Sequence, residues 1–517
     1  MRSTQGDAVR DDVADVASGA SVNAIAGAIN GGLGFLFTLL VARELGTQGA
    51  GALFEAIAVF SVIAIASELG AASAIVRSVA RCRALFCPRS FRLTVIVGTL
   101  PSIIIGLGAG VALLGFASDL APLLVHRGDR AAVSTYLRVL GPFLPFVVSA
   151  DILLGATRGF GTMIPSAATE LIVMPAARIA LFLLVVKMTY SPTFLGLAWG
   201  APAAAAAVLA FIALRSLGGR LGSSATSEIQ APDTRRLALD FWRFALPQSL
   251  SSILQVSVLW IDVVLLGALK STDDAGTYAT LSRYLMVGTL ALSAISLAIA
   301  PRISNLLAEG AVERAERLYR AATGWIVAIA FPIYVVMAIF AATLMRLFGR
   351  NFTDGAVPLA VLAIAMLANV ATGPVVTILL MGGRSGLVLF NSSIAFGCNL
   401  ALNITLIPRY GMLGAAVAWS VGIVAMNGLG VLQVQRIWKM NPFGADVCLT
   451  GACAILAYGG VGLMARQVVG VNTLALVATG LVATLIHGTV LWRIRDKLMV
   501  SAFREMVTGR RTVLRSA

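Results

Sequence analysis

Long apolar segments separated by short polar ones follow one another along the whole chain. Each apolar segment is about 20 residues long, which is the length that an α-helix needs to cross the hydrocarbon core of a bilayer. A membrane β-barrel would instead show alternating segments of about 10 residues. The pattern therefore predicts an all-α, polytopic membrane protein with about fourteen transmembrane helices. We place them approximately at residues 21–42, 51–76, 93–117, 137–157, 165–186, 193–214, 244–267, 277–301, 322–347, 356–381, 386–406, 411–434, 444–465 and 471–492.

The longest polar stretch between two apolar segments covers residues 215–243 and is rich in Gly, Ser and charged residues. This composition is typical of a linker. It divides the first twelve segments into two sets of six and leaves two more at the end. We predict a cytoplasmic tail (1–20), an N-terminal six-helix lobe (21–214), a cytoplasmic linker (215–243), a C-terminal six-helix lobe (244–435), additional helices 13 and 14 (436–492) and a basic cytoplasmic tail (493–517).

The two sets of six segments repeat each other. "LGTQGAGALFEA" in the first set has a counterpart in "LKSTDDAGTYAT" in the second, which pairs Gly51 with Gly276. The same offset along the chain brings Arg77 onto Arg302. Because six is an even number, both repeats enter the membrane in the same orientation and are related by an axis along the membrane normal. The repeat predicts two parallel lobes around a central cavity, an arrangement typical of a carrier.

The positions of Lys and Arg orient the predicted helices. Of the 39 basic residues, 26 fall on the side of the membrane that holds both chain ends, 10 on the other side, and three within or at the edge of helices. Short cytoplasmic loops carry an excess of Lys and Arg, so we predict that both ends are cytoplasmic and that the protein lies in the cytoplasmic (inner) membrane. The net charge of +15 is explained by this bias and by attraction to anionic lipids, and we predict no nucleic-acid partner.

Composition excludes several kinds of catalytic protein. The chain is 58% hydrophobic and only 12% charged, too apolar for a soluble protein of this length. Its five cysteines lack the spacing of a zinc site, and no phosphate-binding Gly-rich loop with a lysine is present. The predicted outer loops are too short to carry a catalytic domain. We predict that the protein is not an enzyme and holds no metal and no cofactor.

Two amides interrupt the apolar run "NLALNITLIPRYGMLGAAVAW". Asn399 and Asn403 lie one helical turn apart, and Pro408 and Gly411 then end the helix and begin a reversal. An amide that faced lipid would leave polar groups without partners at a cost of several kcal/mol. Both side chains must therefore face another helix, where they would join the two helices, or the cavity, where they would contact a substrate.

Three stretches resemble the Wzx-like polysaccharide-biosynthesis flippases, whose superfamily also contains the lipid II flippases and the multidrug and toxin extruders. They are "LLVARELGTQGAGALFEAIAVFSVIAIASELGAASAIVR", "WIDVVLLG" followed by "DDAGTYA", and the Asn–Pro–Gly hairpin quoted above. The resemblance implies a fourteen-helix, two-lobed fold. It also implies that a polyprenyl-pyrophosphate-linked saccharide is turned from the inner to the outer leaflet by alternating access, for cell-envelope polysaccharide assembly, with a polymerase or glycosyltransferases as partners.

Arginines within or beside the predicted helices are candidates for binding the pyrophosphate that the resemblance implies. Arg178 lies deepest, and Arg158 and Arg243 lie nearer the cytoplasmic side. The planar fork of an arginine suits bidentate binding to phosphate. The alternative is that Arg178 pairs with Glu170 or Asp151 and holds the lobe together, and that Arg158 anchors a helix end.

Acidic residues within the predicted helices are candidates for coupling transport to a proton or a sodium ion. Charged groups inside a membrane are costly and therefore point to function or to a paired partner. In the first lobe the candidates are Glu68, Asp151 and Glu170. In the second lobe the resemblance places an aspartate at Asp262, which would either bind the coupling ion or pair with Arg283 on the next helix.

Two related activities stay open as alternatives on the same fold. A lipid II flippase would usually open with an Arg-rich first helix, which this chain lacks. An ion-coupled multidrug extruder usually has twelve helices and exports cations, which an arginine in the cavity would repel. A major-facilitator carrier would need a basic signature between helices two and three that "RSVARCRALFCPRSF" does not contain.

Overall fold

The computed structural model describes the backbone of residues 2–84, 88–222 and 234–493 and the side chains of residues 26–82, 91–218 and 234–493. Parts of three predicted segments lie outside these ranges. They are the side chains of the tail 1–20, residues 223–233 of the linker and residues 494–517 of the basic tail.

Throughout the described ranges the chain is helical, with no strand among the described residues. Two short 3₁₀ segments, Gly141–Phe143 and Arg350–Gly355, and two π-helical segments, Thr169–Val173 and Ile455–Gly459, lie between or within the longer helices. The α-helices are α1 (Arg2–Glu68), α2 (Ala71–Ala84), α3 (Pro88–Leu124), α4 (Arg130–Leu140), α5 (Leu144–Gly159), α6 (Ile164–Ala168), α7 (Met174–Met188), α8 (Pro192–Gly222), α9 (Thr234–Leu269), α10 (Thr272–Ala308), α11 (Val312–Ile339), α12 (Ala341–Phe348), α13 (Ala356–Ala371), α14 (Val375–Met381), α15 (Ser385–Tyr410), α16 (Met412–Trp438), α17 (Ala445–Ala454), α18 (Gly460–Val468) and α19 (Thr473–Arg493).

Among the described residues, 13 helical stretches are long and apolar enough to cross a membrane. The first of them, Ala26–Cys82, has 57 residues. At 1.5 Å per residue it is about 85 Å long, enough for two crossings. It is broken at Gly46, whose φ of 66° and ψ of −171° only glycine adopts readily. The stretch thus contains the first two predicted segments, and the other twelve stretches match the remaining twelve. The prediction of an all-α, polytopic membrane protein is confirmed.

The chain forms two compact units, residues 1–279 and 280–517. In the first unit, α5 packs against α2, α3 and α8, and its small residues allow a close approach. A Cβ atom added to Gly155 would lie 2.8 Å from the carbonyl oxygen of Ala72. Small residues of this kind are common where membrane helices touch. Contacts place α9 in the first unit, against α1, α2 and α3, although the sequence assigns that helix to the second repeat.

The second unit is built on two helix pairs. One pair is α15 and α16, the hairpin that contains Pro408 and Gly411. The other pair is α11 and α13, and α16 packs against α13 while α17 packs against α11. Gly414 at the start of α16 lies against the backbone of α15, since an added Cβ atom would be 2.6 Å from the carbonyl of Leu406. The small residues that follow Gly411 therefore serve the close helix packing that the sequence predicts.

Within the first unit, the two repeat-related hairpins contact each other reciprocally. A Cβ atom on Gly51 would lie 1.9 Å from the backbone oxygen of Thr272, and one on Gly276 would lie 2.3 Å from the backbone oxygen of Thr47. The offset that pairs Gly51 with Gly276 also pairs Thr47 with Thr272. A contact in which residue i meets j and j meets i is what a two-fold relation produces. The geometry of the two glycines thus supports the internal repeat.

We expect Gly51→Ala to destabilise the protein. Its added methyl group cannot avoid the backbone of Thr272, and overpacking of this kind typically costs about 1–3 kcal/mol. The measurement is the thermal unfolding midpoint of the purified protein in detergent. The control is Gly32→Ala, because nothing lies within 4 Å of a Cβ atom at that position. Equal midpoints for the two variants would show that the close approach at Gly51 is not needed.

Candidate functional site

Five ionisable side chains from three neighbouring spans form one group inside the first unit, which we call the charged cluster. Its members are Glu68 at the end of α1, Asp151 and Arg158 on α5, Glu170 in the π-helical segment and Arg178 on α7. Each interacts electrostatically with at least one other member. Three carboxyl groups and two guanidinium groups thus share a region whose walls are apolar helices.

Arg158 and Glu170 make the ion pair of this cluster. Nη1 of Arg158 lies 3.3 Å from Oε2 of Glu170, and both side chains are between a quarter and a third exposed. Glu170 lies in the π-helical segment Thr169–Val173, which ends two residues before Pro175. A π-bulge widens the helix by one residue and is frequent at functional sites. The bulge takes Glu170 out of regular α-helical register.

Arg178 is held by Trp199 of α8 in two ways. Its Nε donates to the backbone oxygen of Trp199 at 3.1 Å, and its guanidinium carbon lies 4.0 Å from the centre of the Trp199 ring. Phe60 packs edge-on against the same ring at 5.3 Å between centroids. A cation over an aromatic face is stabilised by the ring quadrupole, more so away from water. Arg178 is therefore fixed in orientation at a depth where a free cation would be costly.

Glu68 and Asp151 bring their carboxyl groups together. Glu68 is buried, and its Oε1 has no hydrogen-bond partner among the described residues. A hydrogen bond between two carboxyl groups requires a proton on one of them. Arg158 acts electrostatically on both acids and Arg178 acts on Asp151, so a pair of acids and two cations interact in this cluster.

The remaining candidates in the first unit lie on α9. Arg243 is on an exposed face near the start of that helix. Asp262 is buried near its end, and the hydroxyl of Tyr278 donates to Oδ2 of Asp262 at 2.9 Å. Tyr278 is a partner that the sequence analysis missed. Tyr278 belongs to the stretch "DDAGTYA", which follows the stretch "WIDVVLLG" that contains Asp262.

Asn399 and Asn403 are both buried on α15 and contact each other. Nδ2 of Asn403 donates to Oδ1 of Asn399 at 3.1 Å. Asn399 also lies against α16, since a Cβ atom on Gly422 would be 3.5 Å from the Cβ of Asn399. The two amides thus bond to each other along α15, and Asn399 lies beside the neighbouring helix α16.

A larger amide network in the second unit was not predicted from the sequence. Nδ2 of Asn427 on α16 donates to Oδ1 of Asn369 on α13 at 2.9 Å, and the Thr372 hydroxyl donates to the backbone oxygen of Asn369. Asn391 and Gln433 exchange two hydrogen bonds of 2.8 Å between α15 and α16. Isolated amides within apolar runs are the signal that would have found these residues, by the same reasoning that singled out Asn399.

The described residues contain no group of three or more His, Cys, Asp or Glu side chains able to hold a metal ion. The cluster that does form combines carboxyl groups with arginines, and arginine cannot ligate a metal. Arginines of this kind are suited to bind anions, and carboxyl groups are suited to accept protons.

Comparison with known families identifies the chain. Residues 16–307 match the family described as "Polysaccharide biosynthesis protein", which is more than half of the sequence. The chain belongs to this family. Residues 247–405 match the family described as MatE as well. The resemblance that the sequence suggested is confirmed.

Two curated relatives of this polysaccharide-biosynthesis protein come from Haloferax volcanii. The chain is 25% identical to the "Probable flippase AglR" over 234 residues, which cover 44% of this chain and 49% of the relative. It is 24% identical to the "Probable low-salt glycan biosynthesis flippase Agl15" over 254 residues, which cover 48% and 52%. The chain thus spans about half the length of the curated relatives it matches.

Solved structures show the fold of the polysaccharide-biosynthesis protein. The lipid II flippase MurJ in an inward closed conformation aligns with a TM-score of 0.70 at 12% identity, over 92% of this chain and 99% of that one. An inward-facing multidrug resistance MATE family transporter aligns with a TM-score of 0.61 at 16% identity, over 79% and 94%. At these identities the likeness establishes a shared transporter fold and nothing further.

Proposed function

We propose that the protein is a flippase that moves a polyprenyl-pyrophosphate-linked oligosaccharide from the cytoplasmic to the outer leaflet by alternating access. The observation that carries the proposal is Arg178, an arginine held by Trp199 inside a membrane-spanning helix. Membership of the polysaccharide biosynthesis family and the names of the Haloferax volcanii relatives support this substrate over a drug. The protein would carry out transport without a catalytic step.

Arg178 is oriented to receive an oxyanion. Its Nε and one face of its guanidinium are used by Trp199, and its two terminal nitrogens, which Asp151 also attracts, would bind the ligand. Those nitrogens present N–H groups in a fixed planar fork, matched to two oxygens of a phosphate. A pyrophosphate carries at least two negative charges, so its binding would offset a cation that is otherwise costly at this depth.

Arg158 would act earlier on the substrate's path. It lies in the last turn of α5, on the side that we propose is cytoplasmic, and Glu170 holds it in an ion pair. An entering pyrophosphate would compete with Glu170 for the same guanidinium. Arg243, on the exposed face of α9, would attract the head group from the cytoplasmic surface without forming part of the buried site.

The acids of the cluster would couple transport to an ion. Glu68, Asp151 and Glu170 lie within reach of the two arginines, so a change in their protonation changes how strongly those arginines bind an anion. We propose the same coupling role for Asp262 on α9, whose carboxyl group accepts a hydrogen bond from the Tyr278 hydroxyl. A proton or a sodium ion would drive the cycle through these groups, and no cofactor would be required.

Asn399 and Asn403 have two proposed roles. Their mutual hydrogen bond and the contact with α16 support a packing role first. Contact with the saccharide is the second role, since amides bind hydroxyl groups well once a neighbouring helix moves.

The bias of Lys and Arg supports an inner-membrane protein with both ends in the cytoplasm. The lobes would follow the predicted boundaries at 21–214 and 244–435, around a central cavity. Anionic lipids would bind the basic tail, and a polymerase or glycosyltransferases would act on the same substrate on either side of the transport step.

Depletion of the protein in its host tests this function. We expect one polyprenyl-pyrophosphate-linked saccharide to accumulate in the inner leaflet, identified by mass spectrometry and assigned to its leaflet by an impermeant labelling reagent. Accumulation of the peptidoglycan precursor instead would make the protein a lipid II flippase. An unchanged pool of lipid-linked saccharides with raised sensitivity to cationic drugs would overturn the proposal in favour of a multidrug extruder.

A further inference from the structure

A second buried acid lies in the first unit, apart from the charged cluster. Glu55 on α1 is 1% exposed, and neither of its carboxylate oxygens has a hydrogen-bond partner among the described residues. An ionised carboxylate buried in this way costs many kcal/mol unless a positive charge compensates it. A positive charge bound beside Glu55 would supply this compensation.

Two further oxygen groups converge on the Glu55 carboxyl. Gly267 of α9 lies directly beside it, since a Cβ atom there would be 2.4 Å from Oε1 of Glu55 and 3.0 Å from the carbonyl oxygen of Leu124. The side chain of Thr272 also interacts with Glu55, although its fully buried hydroxyl makes no hydrogen bond within the described residues. A polar contact beyond direct hydrogen-bond geometry is typical of groups that share a small ligand between them.

The carbonyl of Leu124 makes this environment strongly electronegative. Leu124 is the last residue of α3, and the final carbonyls of a helix have no partner within it. They also carry the negative end of the helix dipole. A carbonyl oxygen accepts hydrogen bonds and cannot donate one, so it repels an ionised carboxylate. A proton or a cation between the two groups would remove this repulsion.

The charged side chains around this end of the unit are engaged elsewhere. Arg130 donates to the backbone oxygens of Val125 and His126, and Asp129 caps α4 by accepting from the backbone of Ala132. Asp273 accepts from Thr47. The exposed side chains of His126 and Arg127 follow α3, while Arg43, Glu44, Lys270 and Asp274 lie on the adjoining turns. In the described part of the chain, no ionised side chain compensates Glu55, whose surroundings are apolar atoms and the Thr272 hydroxyl.

We propose that Glu55, the carbonyl of Leu124 and the hydroxyl of Thr272 form a binding site for a single positive charge, a sodium ion or a proton. One carboxylate with two neutral oxygen groups balances one charge and does not suit a divalent ion, which prefers several carboxylates. The site is distinct from the charged cluster, and its occupancy does not depend on which substrate the protein moves.

Occupancy of this site would join three helices. The ligands come from α1, the end of α3 and the start of α10, above Gly267 of α9. Backbone hydrogen bonds already join the same segments, from His126 to Gly267 at 2.8 Å and from Thr272 to Arg127 at 2.9 Å. The bound charge completes this junction, and its release leaves the Glu55 carboxylate and the Leu124 carbonyl facing each other, which favours separation of α1 from the end of α3.

The test uses the purified full-length protein in detergent. Sodium chloride is titrated against choline chloride at constant ionic strength, and the thermal unfolding midpoint is recorded for the parent, Glu55→Gln and Thr272→Ala. If sodium is the ligand, the midpoint of the parent rises with sodium, Glu55→Gln rises less than the parent, and Thr272→Ala needs at least about tenfold more sodium for its rise. The matched control is Glu44→Gln, which should respond as the parent does, because Glu44 is an exposed acid on α1 that accepts a hydrogen bond from Tyr190.

Infrared spectroscopy distinguishes the proton from sodium. If the proton is the ligand, Glu55→Gln responds to sodium as the parent does, and the carbonyl band of protonated carboxyl groups loses intensity in Glu55→Gln but not in Glu44→Gln. The pair of Glu68 and Asp151 contributes to this band in every variant, so the difference from the parent is what counts. In that case Thr272→Ala shifts the frequency of the Glu55 component, which keeps the test valid if Glu55→Gln does not fold. The proposal is overturned if Glu55→Gln and Thr272→Ala respond to sodium as the parent does and neither substitution alters the carboxyl band.

Discussion

Replacement of Arg178 by glutamine is expected to lower the rate of flipping at least about 30-fold. The substitution removes the charge and the fork that would bind the pyrophosphate, while glutamine can still reach Trp199. Loss of a hydrogen-bond partner to a charged group costs about 2 kcal/mol, which corresponds to about that factor. Lysine at this position keeps the charge but not the planar fork, so Arg178→Lys is expected to retain part of the activity.

The rate is measured by complementing a depleted host and following the labelled lipid-linked saccharide in each leaflet. Arg436→Gln is the control, because Arg436 is an exposed arginine on α16. The unfolding midpoint of each variant separates binding from stability. Normal flipping by a destabilised Arg178→Gln protein would mean that Arg178 only holds α7 to α8.

Replacement of Arg158 by leucine is expected to destabilise the protein by about 2 kcal/mol. The substitution leaves Glu170 without its ion-pair partner, 3.3 Å away in the parent, and also removes the cation that acts on Glu68 and Asp151. Breaking a fully buried pair costs about 3–5 kcal/mol, and the partial exposure of this pair reduces that figure. The double variant Arg158→Leu/Glu170→Leu should recover most of the loss, since no unpaired charge then remains at this pair.

Chemical unfolding of the four proteins in this cycle gives the coupling free energy directly. The exposed pair of Arg314 and Glu309, 3.9 Å apart, is the control, and Arg314→Leu should change stability by no more than about 0.5 kcal/mol. Additive losses at Arg158 and Glu170 would show that the two side chains do not depend on each other.

The sequence predicted the class of the fold and the number of its spans well. An apolar segment of about 20 residues has the length that a helix needs to cross the bilayer. The number of spans and their approximate ends therefore follow from the pattern alone. The first two predicted spans lie in one helical stretch that bends at Gly46. Glycine permits this bend because it adopts a backbone conformation that other residues avoid.

The candidate residues were found more readily than their partners. An ionisable or amide side chain is conspicuous in an apolar run, which is why Glu68, Asp151, Glu170 and Arg178 could all be singled out. Trp199 could not, because a tryptophan in a membrane helix is ordinary. Its role depends on the distance of 4.0 Å to the Arg178 guanidinium, which joins two different spans.

Asp262 is a second residue whose hydrogen-bond partner the sequence did not identify. Sequence proximity to Arg283 suggested an ion pair, and the tertiary structure adds the Tyr278 hydroxyl at 2.9 Å. Which residue on the following helix reaches a given carboxylate depends on the angle and rotation of that helix. A one-residue change in rotation turns a side chain by about 100°, which hydropathy alone cannot resolve.

By itself, the sequence determined that this is a helical membrane protein, that its halves repeat, and which side chains are too polar to face lipid. These properties follow from solvation, which acts on each segment separately. Only the tertiary structure decided which of those side chains meet: Arg158 with Glu170, Arg178 with Trp199, and Glu55 with the end of α3. Such contacts depend on the packing of several helices at once, because a buried charge is stabilised by whatever groups the neighbouring helices bring within a few ångströms of it.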